Sequence, residues 1–211
     1  MDNLNVRRPT VQIRVSDCVP EIIKFIDTII KNGYAYESNG SVYFDVKTFN
    51  ECGKHFYAKL EPENMGNMEL VEDGEGKLAA AVTEKKSPND FALWKKSKPG
   101  EPTWESPWSN GRPGWHIECS VMSTYALGQS FDIHTGGVDL KFPHHDNEIA
   151  QSEACFEKDE WCYYFMHTGH LHIDGCKMSK SLKNFITIKE ALNKHGARKL
   201  RLAFLIHYWD A

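Results

Sequence analysis

Cys119, His144 and Glu148 carry the three kinds of donor that zinc accepts: a thiolate, an imidazole and a carboxylate. Cys119 stands in the stretch GRPGWHIECS at residues 111–120, and the other two in PHHDNE at 143–148. Proline suits the first turn of a helix, where its missing N–H costs nothing. A helix opened by Pro143 projects His144 and Glu148, four residues apart, from one face. Three protein ligands leave one coordination position for a substrate. The same His–Glu spacing also fits a surface pair, and a single cysteine also serves as core filler, so spacing alone leaves these readings open. Trp115 precedes Cys119 by four residues and shares its face if a helix starts near Gly114.

Two further stretches have the composition of ligand-contacting segments. His134, Thr135, Gly136, Gly137 and Asp139 end what reads as a short buried strand from residue 130. The missing β-carbons there let a ligand approach the backbone, although many strand-to-helix turns use a Gly-Gly pair for geometry alone. Residues 177–181 read Lys-Met-Ser-Lys-Ser, a phosphate-handling loop in composition that fits an ordinary surface loop as well, and Glu190 is the single acid among eight Lys and Arg between Lys177 and Arg201.

These residues need elements to hold them. Residues 20–32 read as a helix, with Pro20 at its start and Gly33 past its end, and with Ile22, Ile26, Ile29 and Ile30 on one face. Residues 34–45 read as a hairpin turning at Asn39-Gly40, the pair that supplies two positive-φ positions. Residues 60–77 hold six acids and no apolar period, which predicts a solvated loop. Trp94, Trp104, Trp108 and Trp115, interrupted by prolines, predict an ordered, irregular segment anchored on a core. Helix over 143–156, strand near 163–167 and helix from 186 to 209, broken near Gly196, complete an alternation that predicts a parallel α/β sheet.

The chain has 211 residues, 41% of them hydrophobic, with a net charge of −4, which argues against whole-surface attraction to nucleic acid but not against a local basic patch. No apolar run approaches the roughly 20 residues that cross a bilayer, and the first ten residues lack a signal-peptide core. Six scattered cysteines without a CxxC pair read as free thiols of a reducing compartment, so a cytoplasmic protein without membrane contact is expected.

The pentapeptide at 177–181 resembles the second signature motif of the class I aminoacyl-tRNA synthetases. Together with GRPGWHIECS and HTGGVDLKFPHHDNE, it makes the chain similar to the cysteinyl-tRNA synthetases, the eukaryotic cytosolic kind in particular. Bacterial members commonly have Gly and Glu where this chain has Thr135 and Asp146, and the eukaryotic pattern accepts both.

The resemblance implies an enzyme, a cysteine–tRNA ligase that forms cysteinyl-adenylate from cysteine and ATP with Mg and transfers it to tRNA-Cys. It implies that Cys119, His144 and Glu148 bind one zinc, and that Trp115 and His134 wall the cysteine pocket. Gly136, Gly137 and Asp139 fall on the adenosine side, with Lys177, Ser179, Lys180 and Ser181 on the triphosphate and Lys177 and Lys180 as catalytic charges. The implied fold is the second half of a class I nucleotide-binding, Rossmann-like domain. On that plan residues 1–85 form an α+β connective insertion, 86–170 the half-domain, and 171–211 the KMSKS loop and helices. The family's HIGH-type motif, its fourth zinc ligand and its anticodon-binding domain have no counterpart in these residues, so an internal piece, inactive alone, is expected. Two rival readings stay open: a non-catalytic zinc- or partner-binding fragment, and a related cysteine ligase that forms an amide with an aminosugar.

Overall fold

The computed structural model describes residues 1–75, 84–173, 175–178 and 183–209. In chain order the elements are α1 (Val19–Lys31), β1 (Ala35–Ser38), β2 (Ser41–Phe44), α2 (Val46–Glu51), α3 (Met68–Glu75), β3 (Phe91–Lys96) and β4 (Gly111–Pro113). There follow α4 (Trp115–Leu127), β5 (Phe131–Gly137), α5 (Asp146–Phe156), β6 (Cys162–Thr168), β7 (His172–Ile173), β8 (Cys176–Lys177) and α6 (Ile188–Ile206). They form two compact units: Ile13–His134 with Leu140–Phe165, and Met1–Gln12 with Thr135–Asp139 and Met166–Ala211.

The larger unit is organised by a four-stranded sheet in the order β1-β2-β3-β4. Asn39 and Gly40 both have positive φ, 53° and 82°, and turn β1 back on β2 with Tyr36 opposite Tyr43. β2 then pairs antiparallel with β3, and β3 with β4. All four residues of β2 are buried, so both faces of this strand are covered. Ile22, Ile26 and Ile29 of α1 meet Phe44, Phe49, Phe91, Leu93 and Trp94 in one core. Asp90 ties the hairpin to β3, accepting from Tyr36 Oη at 2.7 Å, Val46 N at 3.1 Å and Ser87 N at 3.0 Å.

β1–β4 run antiparallel throughout, each strand returning beside the previous one as in a meander, while β5 and β6, the strands on either side of α5, pair with each other in a sheet of their own. Two expectations need correction. Residues 60–77 are not wholly loop: α3 occupies Met68–Glu75, with Glu69 at its positive end and Val71 buried in the core. The strand ending in Gly136-Gly137 is not buried; apart from Phe131 its residues are half or fully exposed.

In the smaller unit β7 and β8 form a hairpin, and α6 starts at a capping box, Thr187 Oγ1 accepting from Glu190 N at 3.2 Å while Glu190 Oε2 accepts from Thr187 N at 2.9 Å. The break at Gly196 is present, with φ 72° and ψ 158° inside α6.

Candidate metal centre

α4 and α5 place the three donors. Gly114 is the N-cap of α4, and its N–H donates to Leu93 O of β3 at 2.8 Å. A β-carbon at 114 would run into the Ala92 carbonyl oxygen, so only glycine lets the helix start this close to the sheet. From that seat α4 carries Trp115, His116 and Cys119. The chain reaches α5 through a wide turn over Lys141–His145 that contains Pro143 and His144. The two helices are locked by Gln151, whose Nε2 donates to Ser120 Oγ at 3.3 Å and to Asn147 O at 2.8 Å.

Cys119, His144 and Glu148 thereby each bring one donor atom within 4.8 Å of the others, and the same holds for His134, His145 and Glu148. Glu148 is the shared centre and is fully buried. His144 Nε2 lies 3.1 Å from its Oε1, and His134 Nε2 lies 3.3 Å from Oε1. His134 Nε2 also comes within 3.1 Å of Oε2 but out of line for a hydrogen bond, which leaves that buried oxygen without a hydrogen-bond partner among the described residues. Burial alone would raise the Glu148 carboxyl, but the hydrogen bonds from His134 and His144 outweigh it and hold the group at about 2. The Cys119 thiol goes the other way: burial, then Glu148 and Glu118, push it up to about 12. A thiol so placed ionises when a cation replaces its proton.

His144 has a second partner. Its Nδ1 stands 2.9 Å from His116 Nδ1, and its ring is stacked under Trp115 at 4.3 Å. Burial and the neighbouring His144 push His116 down to about 3, so it is neutral and can accept. In the absence of a metal, Nε2–H of His144 donates to Glu148; a cation that displaces this proton would meet Nε2 beside Cys119, with the ring held by the Nδ1 contact to His116. Phe91 supports His116 edge-on at 5.8 Å. A buried, partnerless carboxylate oxygen beside a thiol and an oriented imidazole fits zinc by donor type and count.

Of the other residues named from sequence, Trp115 is half exposed over His144, and His134 sits beside Glu148. In the smaller unit Gly137 lets the Asp139 carboxylate fold back against its backbone, where a β-carbon would collide with Oδ1. Asp139 lies 3.7 Å from Lys177 Nζ and 3.9 Å from His170 Nε2. Gly136 precedes that turn at the end of β5, and Lys177 ends β8. Ser179, Lys180 and Ser181 lie outside the described residues. His116 and His145 belong to the site without having been singled out by sequence. Spacing carried the signal, since each lies three residues before a named donor, Cys119 and Glu148.

Over residues 1–211 the chain matches the family described as tRNA synthetases class I (C) catalytic domain. It is 64% identical over 212 residues to a protein of Gallus gallus named cysteine–tRNA ligase, cytoplasmic, and 63% identical to proteins of the same name from Homo sapiens and Drosophila melanogaster. Each alignment takes in 99% of this chain; the chain spans 28% of the first two relatives and 29% of the third. Among solved structures, a Campylobacter jejuni protein assigned as an arginyl tRNA synthetase superposes with a TM-score of 0.55 at 12% identity, covering 100% of this chain and 36% of that one, which speaks for the fold alone.

Proposed function

The chain belongs to the class I tRNA synthetases, in the family of the (C) catalytic domain, and from that premise we propose that it carries the cysteine-selecting part of a cytoplasmic cysteine–tRNA ligase. The substrates are cysteine, ATP with Mg, and tRNA-Cys. In the reaction the cysteine carboxylate attacks the α-phosphorus of ATP, pyrophosphate leaves, and the aminoacyl group passes from the adenylate to the tRNA. Residues 1–85 are read as the connective insertion, 86–170 as the second half of the Rossmann-like domain, and 171–211 as the KMSKS loop and its helices, with one sheet joining the hairpin to β3.

The single observation that carries this reading is the convergence of Cys119, His144 and Glu148 around a buried carboxylate oxygen without a partner. Zinc bound there would supply a soft centre that prefers a thiolate to an alcohol, and so would separate cysteine from serine, which packing alone distinguishes poorly. Glu148 keeps its charge at neutral pH because imidazoles surround it. His116 fixes the direction in which His144 presents Nε2. Trp115 and His134 border the same space and shape the pocket for the substrate side chain. Lys177 and Lys180, with Ser179 and Ser181, are assigned to triphosphate charge, and Gly136, Gly137 and Asp139 to the adenosine. Positioning and charge stabilisation are then most of the catalysis.

The test is cysteine-dependent pyrophosphate–ATP exchange by the whole protein. Outer partners of a metal ligand are worth about 10–100-fold, so Cys119→Ser should cost more than about 100-fold. Exchange within about tenfold of the parent, less than a ligand's loss should cost, would remove Cys119 from the metal set.

A further inference from the structure

His55, Glu153 and Asp159 form a second cluster that shares no residue with the Glu148 centre, and their donor atoms lie within 4.8 Å of one another. Glu153 is on α5, five residues beyond Glu148, which turns it roughly 140° around the helix from the first site. His55 follows α2 by a short turn, and Asp159 follows the end of α5.

The imidazole is held as a ligand would be. Its ring stacks on Phe49 at 5.2 Å with 5° between the planes and meets Tyr34 edge-on at 6.2 Å. Nδ1 stands 3.0 Å from Asp159 Oδ1 and 3.4 Å from Glu153 Oε2. Neither approach has hydrogen-bond alignment, so both ring nitrogens and Glu153 Oε2 are buried without a hydrogen-bond partner among the described residues. The His55 side chain is 2% exposed and that of Glu153 is 1% exposed. An ordinary imidazolium–carboxylate pair would align an N–H with an oxygen, and leaving such atoms unmatched in the interior is destabilising.

Lys59 occupies the other oxygen, its Nζ 2.6 Å from Glu153 Oε1, and so aims Oε2 toward His55. A second cation at this rim, Lys54, is taken by Glu157 at 2.7 Å. One wall is open, because the Asp159 side chain is 70% exposed, which leaves room for entry and for water ligands.

We propose that His55 Nδ1, Glu153 Oε2 and Asp159 Oδ1 bind a divalent transition ion, with Zn²⁺ the first probe, as a staple between the turn after α2 and the end of α5. One imidazole and two carboxylates with open positions for water make a set that zinc accepts. Nothing at this site depends on the enzyme activity proposed above.

Asp159→Asn is the variant of choice, since an exposed side chain can be changed without emptying the core, whereas losing the stacked His55 ring can unfold the region. The whole protein, the Asp159→Asn variant and the Cys119→Ser variant are stripped with a chelator and dialysed against a small excess of Zn²⁺. Bound zinc is counted by plasma emission, and thermal midpoints are recorded with and without the metal. The expected result is that Asp159→Asn binds one zinc fewer than the parent, and that Zn²⁺ raises the midpoint of Cys119→Ser through the remaining site. Equal zinc content in the parent and Asp159→Asn overturns the site. It does so even when Cys119→Ser has lost zinc, since that loss concerns the Glu148 centre alone.

Discussion

Glu148 and Asp139 are both carboxylates with histidine near them, and the chain treats them in opposite ways. Glu148 is fully buried, with two imidazole nitrogens at 3.1 Å and a third at 3.9 Å. Asp139 is half exposed, with Lys177 Nζ at 3.7 Å and His170 Nε2 at 3.9 Å. The first arrangement suits a task in which one atom type must be told from another, because geometry fixed by packing cannot relax around the wrong ligand. The second leaves the carboxylate in contact with water, where long, exposed pairings are worth little. The two surroundings also differ in what they cost. A buried carboxylate needs many supports, and an exposed one few.

The sharpest way to break this comparison is through Phe91, which is 1% exposed, stacks on Phe44 at 4.8 Å and backs His116. Phe91→Ala should cost about 3–5 kcal/mol by removing a large core ring. It should weaken zinc binding as well, since His116 loses its backing. Urea unfolding together with a zinc titration checks both, and unchanged zinc affinity in a destabilised protein would uncouple the core from the site.

A smaller effect is expected at Asp90, another carboxylate buried in the larger unit, whose hydrogen-bond donors include no imidazole. Burial raises its carboxyl above the ordinary value of 3.8 despite the donors Tyr36, Val46 and Ser87, whereas Glu148 is lowered. A raised group contributes stability that is full below its unfolded value and is lost as pH rises through its folded value. Asp90→Asn should therefore destabilise most in acid, with the gap to the parent narrowing toward neutral pH. Urea midpoints of both proteins at several pH values report the trend, and a gap that widens toward neutral pH would reverse the assignment.

The smallest effect belongs to Asp139→Asn. Its long, exposed pairings should be worth less than about 1 kcal/mol, and the melting temperature should barely move. A large drop would show that the smaller unit is built around its carboxylate as tightly as the larger one is around Glu148.

The parts of the fold that local chemistry decides were legible. Asn39-Gly40 can do little else than turn a hairpin, and the isoleucines of α1 mark their own buried face. The approach of Cys119 to His144 and Glu148 was legible through residue type and motif. The pairing of β3 with β2 was not, because it joins residues about fifty apart with no pattern linking them. α3 hid inside an acidic run, where a buried Val71 outweighs composition. The cluster of His55, Glu153 and Asp159 was invisible for the same reason as the strand pairing: its members come from distant segments and carry no spacing of their own.

The close seat of α4 on β3 also has a consequence in time. The Gly114 N–H bonds to Leu93 O, and the helix start presses on Ala92 O, so α4 has no place to dock until β3 is laid down. β3 in turn takes its register from β2, with Trp94 opposite Val42 and Phe91 opposite Phe44. Closing such separations is slow compared with forming a helix or a tight turn. Loop closure thus predicts the metal centre as a late event in folding: hairpin first, third strand next, and only then the helix that brings Cys119 to its partners.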